Sequence, residues 1–255
     1  MKPKALVLQA HGSNRDFDAI EALTLAGADA AGIPLNELRR NKTALSDFQL
    51  LVLPGGFSYG DALGAGKLLA LDLVSYFADE ISTFVESGRP VIGICNGFQA
   101  LVKSGILPGG NDSATLTVNA QGHFECRWVT LKPVSQTCLW TKGLAELIEC
   151  PVAHGEGNFQ TSSPLVVSSL LGNDQIALIY TDLDGKPANG EYPLNPNGST
   201  YDIAGICNAQ GNVLGLMPHP ENHIYPFQHP LWTRGVSRHC GLTLFENGVR
   251  YAVRI

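Results

Sequence analysis

Cys95 stands in Gly93-Ile94-Cys95-Asn96-Gly97, a Gly-x-Cys-x-Gly run after the short apolar stretch 91–94 and before a helical pattern over 96–103. Strand, tight turn and helix in that order make a nucleophile elbow with Cys in the place of Ser. Gly93 and Gly97 let the backbone crowd around the turn. The helix start beyond Cys95 supplies free N–H groups and a positive dipole end, which favour a thiolate. The N–H of Asn96 is then placed to donate to an oxyanion. An ordinary strand–helix turn with a buried thiol has the same local pattern, so the motif alone leaves both readings open.

A cysteine nucleophile needs a base, and the base needs an orienting partner. Of the seven histidines, His219 follows the apolar run 213–217 in Met217-Pro218-His219-Pro220-Glu221. A sheet strand would deliver it to the same edge as Cys95. The rigid His-Pro-Glu link lets Glu221 hold the imidazole tautomer. A third element, Leu53-Pro54-Gly55-Gly56-Phe57-Ser58, closes another apolar run with a double glycine. The N–H of Gly56 is the candidate second oxyanion donor, since no side chain covers it. A plain turn is the alternative there, and a capping or surface role the alternative for His219.

These residues need a scaffold that brings several strand ends to one edge. Apolar runs at 5–8, 50–53 and 91–94 alternate with helical patterns. Ser13 and Asp16 resemble a capping box ahead of a helix whose apolar face is Phe17, Ile20 and Leu23, stopped by Gly27. One helix is expected over 71–85, closed by Gly88, and another over 96–103. The second half is richer in strand, with candidates at 116–118, 124–131, 176–180, 203–206 and 213–217 between turn residues. Alternating strands and helices predict an α/β fold, with a mostly parallel central sheet and helices on both faces. No linker or repeat divides the chain, so residues 1–255 are expected to form one domain.

Bulk properties narrow the function. The chain has 255 residues, 44% of them hydrophobic and 16% charged, with formal net charge −6. That balance gives no electrostatic attraction to nucleic acid or an anionic membrane. No apolar run is long enough to cross a bilayer. The six cysteines include no CxxC pair, and the opening apolar stretch is too short for an export signal. Free thiols in the cytoplasm are expected, with the five cysteines other than Cys95 buried and structural. Gly64-Ala65-Gly66-Lys67 fails the phosphate-loop pattern, because Asp61 and Leu68 replace its required Gly and Ser/Thr. His223, His229, His239 and Cys240 match no tight zinc spacing, so no metal is expected.

PGGFSYGD (54–61), GICNGFQAL (93–101), HGEGNF (154–159), NPNGS (195–199) and MPHPEN (217–222) occur in this order. Together they closely resemble the class I glutamine amidotransferase subunits of phosphoribosylformylglycinamidine synthases, over almost the whole chain. The resemblance implies a flavodoxin-like fold and a Cys95-His219-Glu221 triad, with Gly56 and Asn96 as oxyanion hole. It implies contact of substrate glutamine with Gln99 and with the backbone at His154 and Gly155. It also implies a partner synthetase that takes the ammonia and binds ATP and Mg, and a small accessory subunit. Short members of that family often carry Arg where this chain has Asn222, which begins a longer tail. His154-Gly155-Glu156 fits a glycine-rich substrate loop better than a second acid–base pair. An amidotransferase for another synthetase, a cysteine hydrolase or peptidase on the same fold, and a regulatory subunit remain open as alternatives.

Overall fold

The computed structural model describes residues 2–40, 42–110, 113–235 and 240–255. The chain runs through β1 (Lys4–Gln9), α1 (Asp16–Leu25), β2 (Asp29–Pro34), α2 (Leu35–Arg40), β3 (Leu50–Leu53), α3 (Lys67–Tyr76), α4 (Ala78–Glu86), β4 (Val91–Ile94) and α5 (Asn96–Lys103). It continues through β5 (Ala114–Thr117), β6 (Glu125–Pro133), β7 (Ile148–His154), β8 (Asn158–Thr161), α6 (Pro164–Gly172), β9 (Ile176–Thr181), β10 (Ile203–Cys207), β11 (Val213–Leu216) and α7 (Leu242–Ala252). The runs Leu-Leu-Val-Leu of β3, Val-Ile-Gly-Ile of β4 and Val-Leu-Gly-Leu of β11 are buried at every position. Continuous apolar runs of this kind belong to strands covered on both faces.

Nine strands form one sheet in the order β2-β1-β3-β4-β11-β10-β9-β6-β7, and β5 pairs with β8 in a separate ribbon. The strands from β2 to β11 are mutually parallel; each later pairing is antiparallel. Seven of the nine strands therefore point the same way, with β10 and β6 opposed. The steps from β1 to β2 and from β3 to β4 run in opposite directions along the sheet. Right-handed crossovers then put α1 on one face and α3 and α4 on the other. Accordingly α1 packs with α7, and α3 with α5.

Several local expectations change. Ser13 Oγ donates to Ala10 O, and α1 starts without a side-chain cap. Phe17 is 76% exposed, while Asp16, Ala19, Ala22 and Leu23 face inward. The Gln9 amide donates to the Asp16 carboxylate, a part-buried pairing consistent with the rotation of α1 that leaves Phe17 in solvent. The helix expected over 71–85 is two helices, because the chain turns at Phe77 (φ −133°, ψ 13°) to bury that ring. Cys126 is exposed and Cys240 half-buried, so of the five other cysteines only Cys138, Cys150 and Cys207 are buried. β2, β7, β8 and three helices had no strong local pattern; β2 is Asp-Ala-Ala-Gly-Ile-Pro and β7 carries Pro151 in its middle.

Candidate active site

Cys95 ends β4 with φ 49° and ψ −103°, a backbone conformation disfavoured for any residue with a Cβ. Strain of this kind costs about 1–3 kcal/mol and persists where surrounding structure over-determines it. Two features do so here. The Cys95 N–H donates to Leu216 O on the neighbouring strand β11, at 2.8 Å. Gly97 lets α5 press against β3; a Cβ there would lie 1.9 Å from Leu53 O. The elbow is thus tied to both strands that flank β4.

β4 and β11 run parallel in register from Val91 opposite Val213 to Ile94 opposite Leu216. His219, three residues past the end of β11, therefore reaches the edge where Cys95 emerges. A one-turn helix, Pro220–Asn222, folds Glu221 back, and His219 Nδ1 meets Glu221 Oε1 at 2.6 Å. Both side chains are buried, at 3% and 1% exposure. His219 Nε2 makes no hydrogen bond of regular geometry. Burial by itself lowers the imidazole pKa, but the charges of Glu221 and Cys95 outweigh it and push His219 up to about 10. The ring is held as an imidazolium at neutral pH, able to give a proton to a leaving amine.

The far edge of the sheet completes the site. β7 is four strands from β11, a distance of about 19 Å across a flat sheet. Yet His219 N–H donates to Pro151 O at 2.8 Å, and Cys95 Sγ lies 3.7 Å from Ala153 O. The sheet curls until β7 returns over the ends of β4 and β11. His154 and Gly155 arrive with it and line a cavity of about 150 Å³ together with Cys95, Asn96 and Gln99.

Gly55 passes beside Cys95, while Gly56, at φ 104°, turns against Asn14 and Arg15. A Cβ at Gly55 would lie 2.7 Å from His219 Cε1 and 3.4 Å from Cys95 Cβ, so only glycine lets the loop approach both. The Asn96 side chain anchors this loop: its Oδ1 accepts from the Ser58 N–H and hydroxyl, and its Nδ2 donates to Asp61 Oδ1 at 2.8 Å. Asn96 Nδ2 also donates to Gln99 Oε1, and Gln99 Nε2 donates to Glu156 O at 2.6 Å. Gln99 thus faces the cavity while fixing the 154–157 loop. His154 is 2% exposed, with Nδ1 against Asn119 Oδ1 at 3.1 Å. Burial, then the charge of His219, pushes its pKa down to about 3 and keeps it neutral. Asn119, Ser58, Asp61, Phe57 and Phe124 escaped the sequence reading as site residues. Asp61 and Ser58 were visible inside PGGFSYGD, but only their contacts with Asn96 give them a place.

The tail from Asn222 packs against α1, β6 and β7. Asn222 donates to Asp18 and Tyr225 to Glu21, both on α1. His223 and His229 lie edge-on to Trp128, and His229 meets Glu149 at 3.1 Å. Among the described residues no group of three or more His, Cys, Asp or Glu side chains could hold a metal ion. His239, one of the tail histidines, lies outside the described residues.

The CobB/CobQ-like glutamine amidotransferase domain family matches residues 2–252. Phosphoribosylformylglycinamidine synthase subunit PurQ of Treponema denticola is 57% identical, covering 99% of this chain and all of its own length. The chain belongs to the PurQ family of glutamine amidotransferases. Its counterpart from Dehalococcoides mccartyi is 44% identical over 100% of this chain and 99% of that PurQ. A chain of the PurLQS structure from Thermotoga maritima has a TM-score of 0.76 at 32% identity, covering 98% of this chain and 99% of that one. The PurQ-like fold thus extends through the curled sheet edge and the tail.

The His219–Glu221 pair has a pH signature. A folded-state pKa of about 10 against an ordinary 6.5 means that the stabilisation His219 gains from Glu221 and Cys95 together is complete below pH 6.5 and lost as pH rises through 10. In Glu221→Gln the titration of His219 should fall toward neutrality, followed by NMR of the imidazole resonances. An unchanged titration would show that Glu221 does not hold the proton.

Proposed function

We propose that the chain is the glutaminase subunit of a phosphoribosylformylglycinamidine synthase. It hydrolyses glutamine to glutamate and ammonia, and the ammonia is used by a partner synthetase to convert formylglycinamide ribonucleotide to formylglycinamidine ribonucleotide in purine biosynthesis. The carrying observation is the buried His219–Glu221 pair, 2.6 Å apart, just past the end of the strand that pairs with β4. The Cys95 thiolate attacks the side-chain amide carbon of glutamine. The Asn96 and Gly56 N–H groups stabilise the oxyanion. Protonated His219 gives its proton to the departing ammonia, then takes one from the water that hydrolyses the thioester. Gln99 and the backbone at His154 and Gly155 position the substrate.

The synthetase carries ATP and Mg, and a small accessory subunit joins the complex. Residues 1–255 act as one amidotransferase domain, extended from about residue 222 by the tail. The site of action is the cytoplasm; no helix among the described residues is long and apolar enough to cross a membrane.

Ammonia released into water would be protonated and lost as a nucleophile, so coupling favours an oxyanion hole completed only in the complex. The Gly55–Gly56 peptide is the natural switch, since glycine allows a peptide flip at little steric cost. Loss of one oxyanion donor costs about 100- to 1,000-fold. Steady-state glutaminase activity of the lone chain should therefore be lower by that order than in the presence of synthetase, nucleotide and acceptor. Equal rates would dismiss the switch and leave the triad standing; no hydrolysis in either state would dismiss the glutaminase reading itself.

A further inference from the structure

We propose that Asp61 and Glu156 form the subsite for the α-ammonium group of the substrate glutamine. The inference rests on the glutaminase reading and adds residues to it that face the other end of the substrate. Both carboxylates line the cavity of about 150 Å³ that contains Cys95. They come from separate loops, 54–66 and 154–157, which meet over α5 through Asn96 and Gln99.

The charge balance of this wall is negative. Lys103 lies 3.5 Å from Glu156 Oε2 and also donates to Ala65 O, so it offsets one carboxylate. Lys103 also acts on Asp61, so one cation faces two carboxylates and the wall keeps one net negative charge. Asp61 is half-buried; desolvation raises its pKa, the Asn96 and Gly66 hydrogen bonds lower it, the nearby charge of Glu156 raises it and that of Lys103 lowers it, with a net upward shift. A cation arriving between the two carboxylates would relieve both the desolvation and the repulsion. Glutamine brings such a cation in its α-ammonium group, several bonds from the amide that must reach Cys95.

A second feature of the cavity also calls for a donor. His154 lines it, is 2% exposed, and has no hydrogen bond at Nε2. Asn119 Nδ2 donates to two carbonyls, which leaves its Oδ1 to accept from His154 Nδ1–H. Nε2 of the neutral ring is therefore a lone pair with no partner. The cavity thus offers acceptors, two carboxylates and an imidazole nitrogen, to a substrate whose two nitrogens are both donors. Phe57 and Phe124, with ring centroids 6.2 Å apart, also line it and give it an apolar rim.

The test compares glutamine with 4-carbamoylbutanoate, the same amide without the amino group, on the full synthetase complex. The second compound is read as a competitor of glutamine hydrolysis, so it need not turn over. Asp61→Asn keeps an acceptor for Asn96, and Glu156→Gln keeps the side-chain length. Each should raise KM for glutamine about 10- to 100-fold, the usual worth of a hydrogen bond to a charged group, with kcat changed far less. The inhibition constant of 4-carbamoylbutanoate should stay where it is. Equal weakening of both compounds would overturn the proposal, because it would mean that the carboxylates only hold the loops. An unchanged KM for glutamine in both variants would overturn it as well. Failure of the native complex to hydrolyse glutamine would instead strike the glutaminase reading, and is seen before any variant is compared.

Discussion

Cys95→Ala is expected to abolish glutamine hydrolysis while the protein stays folded and still assembles with its synthetase. The nucleophile has no substitute in the motif: no other cysteine lines the cavity. Loss of a triad nucleophile costs about a million-fold in turnover. The structural cost should be small, because Sγ meets only Ala153 O, at 3.7 Å, and the His219 side chain, which the Glu221 carboxylate still holds. Alanine suffers the same positive φ as cysteine, so the elbow is no more strained than before. The complex carrying this variant should therefore still form product from added ammonium salt. Assays with glutamine and with ammonium, run side by side, separate the two outcomes. Loss of the ammonium-dependent reaction as well would show that Cys95 supports the structure of the complex rather than the chemistry.

His219→Ala should be as damaging as the loss of Cys95, and Glu221→Ala less so, by about 10,000-fold rather than a million-fold. The geometry explains the ranking. His154 lines the cavity that contains Cys95, but burial, the largest cause of its lowered pKa, remains when His219 is removed and keeps it a poor proton carrier. Without Glu221 the imidazole remains anchored through its backbone N–H to Pro151 O. What is lost is the charge that keeps a buried ring protonated and the contact that fixes its tautomer. Turnover of the three variants in the complex measures the order. Equal losses at all three positions would mean that Glu221 does more than orient, and an undiminished Glu221→Ala enzyme would remove it from the site.

The contrast between Cys95 and Asp61 shows how far the sequence reaches. The elbow is written in consecutive residues: apolar strand, two glycines around the cysteine, then an amphipathic helix. Its strand and helix appear where the pattern puts them, at Val91–Ile94 and Asn96–Lys103. The His-Pro-Glu turn is equally local, because two residues and a proline suffice to bring the carboxylate to the ring. Such features depend on turn chemistry and side-chain period, which neighbouring residues determine by themselves. The parallel sheet also follows from local alternation, since each short apolar run needs cover on both faces.

Phe17 shows where local pattern misleads, since packing of Ala19, Ala22 and Leu23 and the Gln9–Asp16 contact turn the other side of α1 inward. Other features depend on contacts that no window of sequence contains. The pairing of β11 with β4 brings together residues more than a hundred positions apart. The return of β7 over the sheet edge requires the curvature of the whole antiparallel half. Ser58, Asp61, Asn119 and Glu156 gain their roles only from that curl and from the side chains of Asn96 and Gln99. The sequence by itself pointed to Cys95, His219 and Glu221 as the proposed nucleophile, base and orienting acid, because the chemistry proposed for them is carried by adjacent residues. The tertiary structure alone decided the substrate cavity, because its walls come from distant segments whose meeting is settled by packing and by hydrogen bonds across the fold.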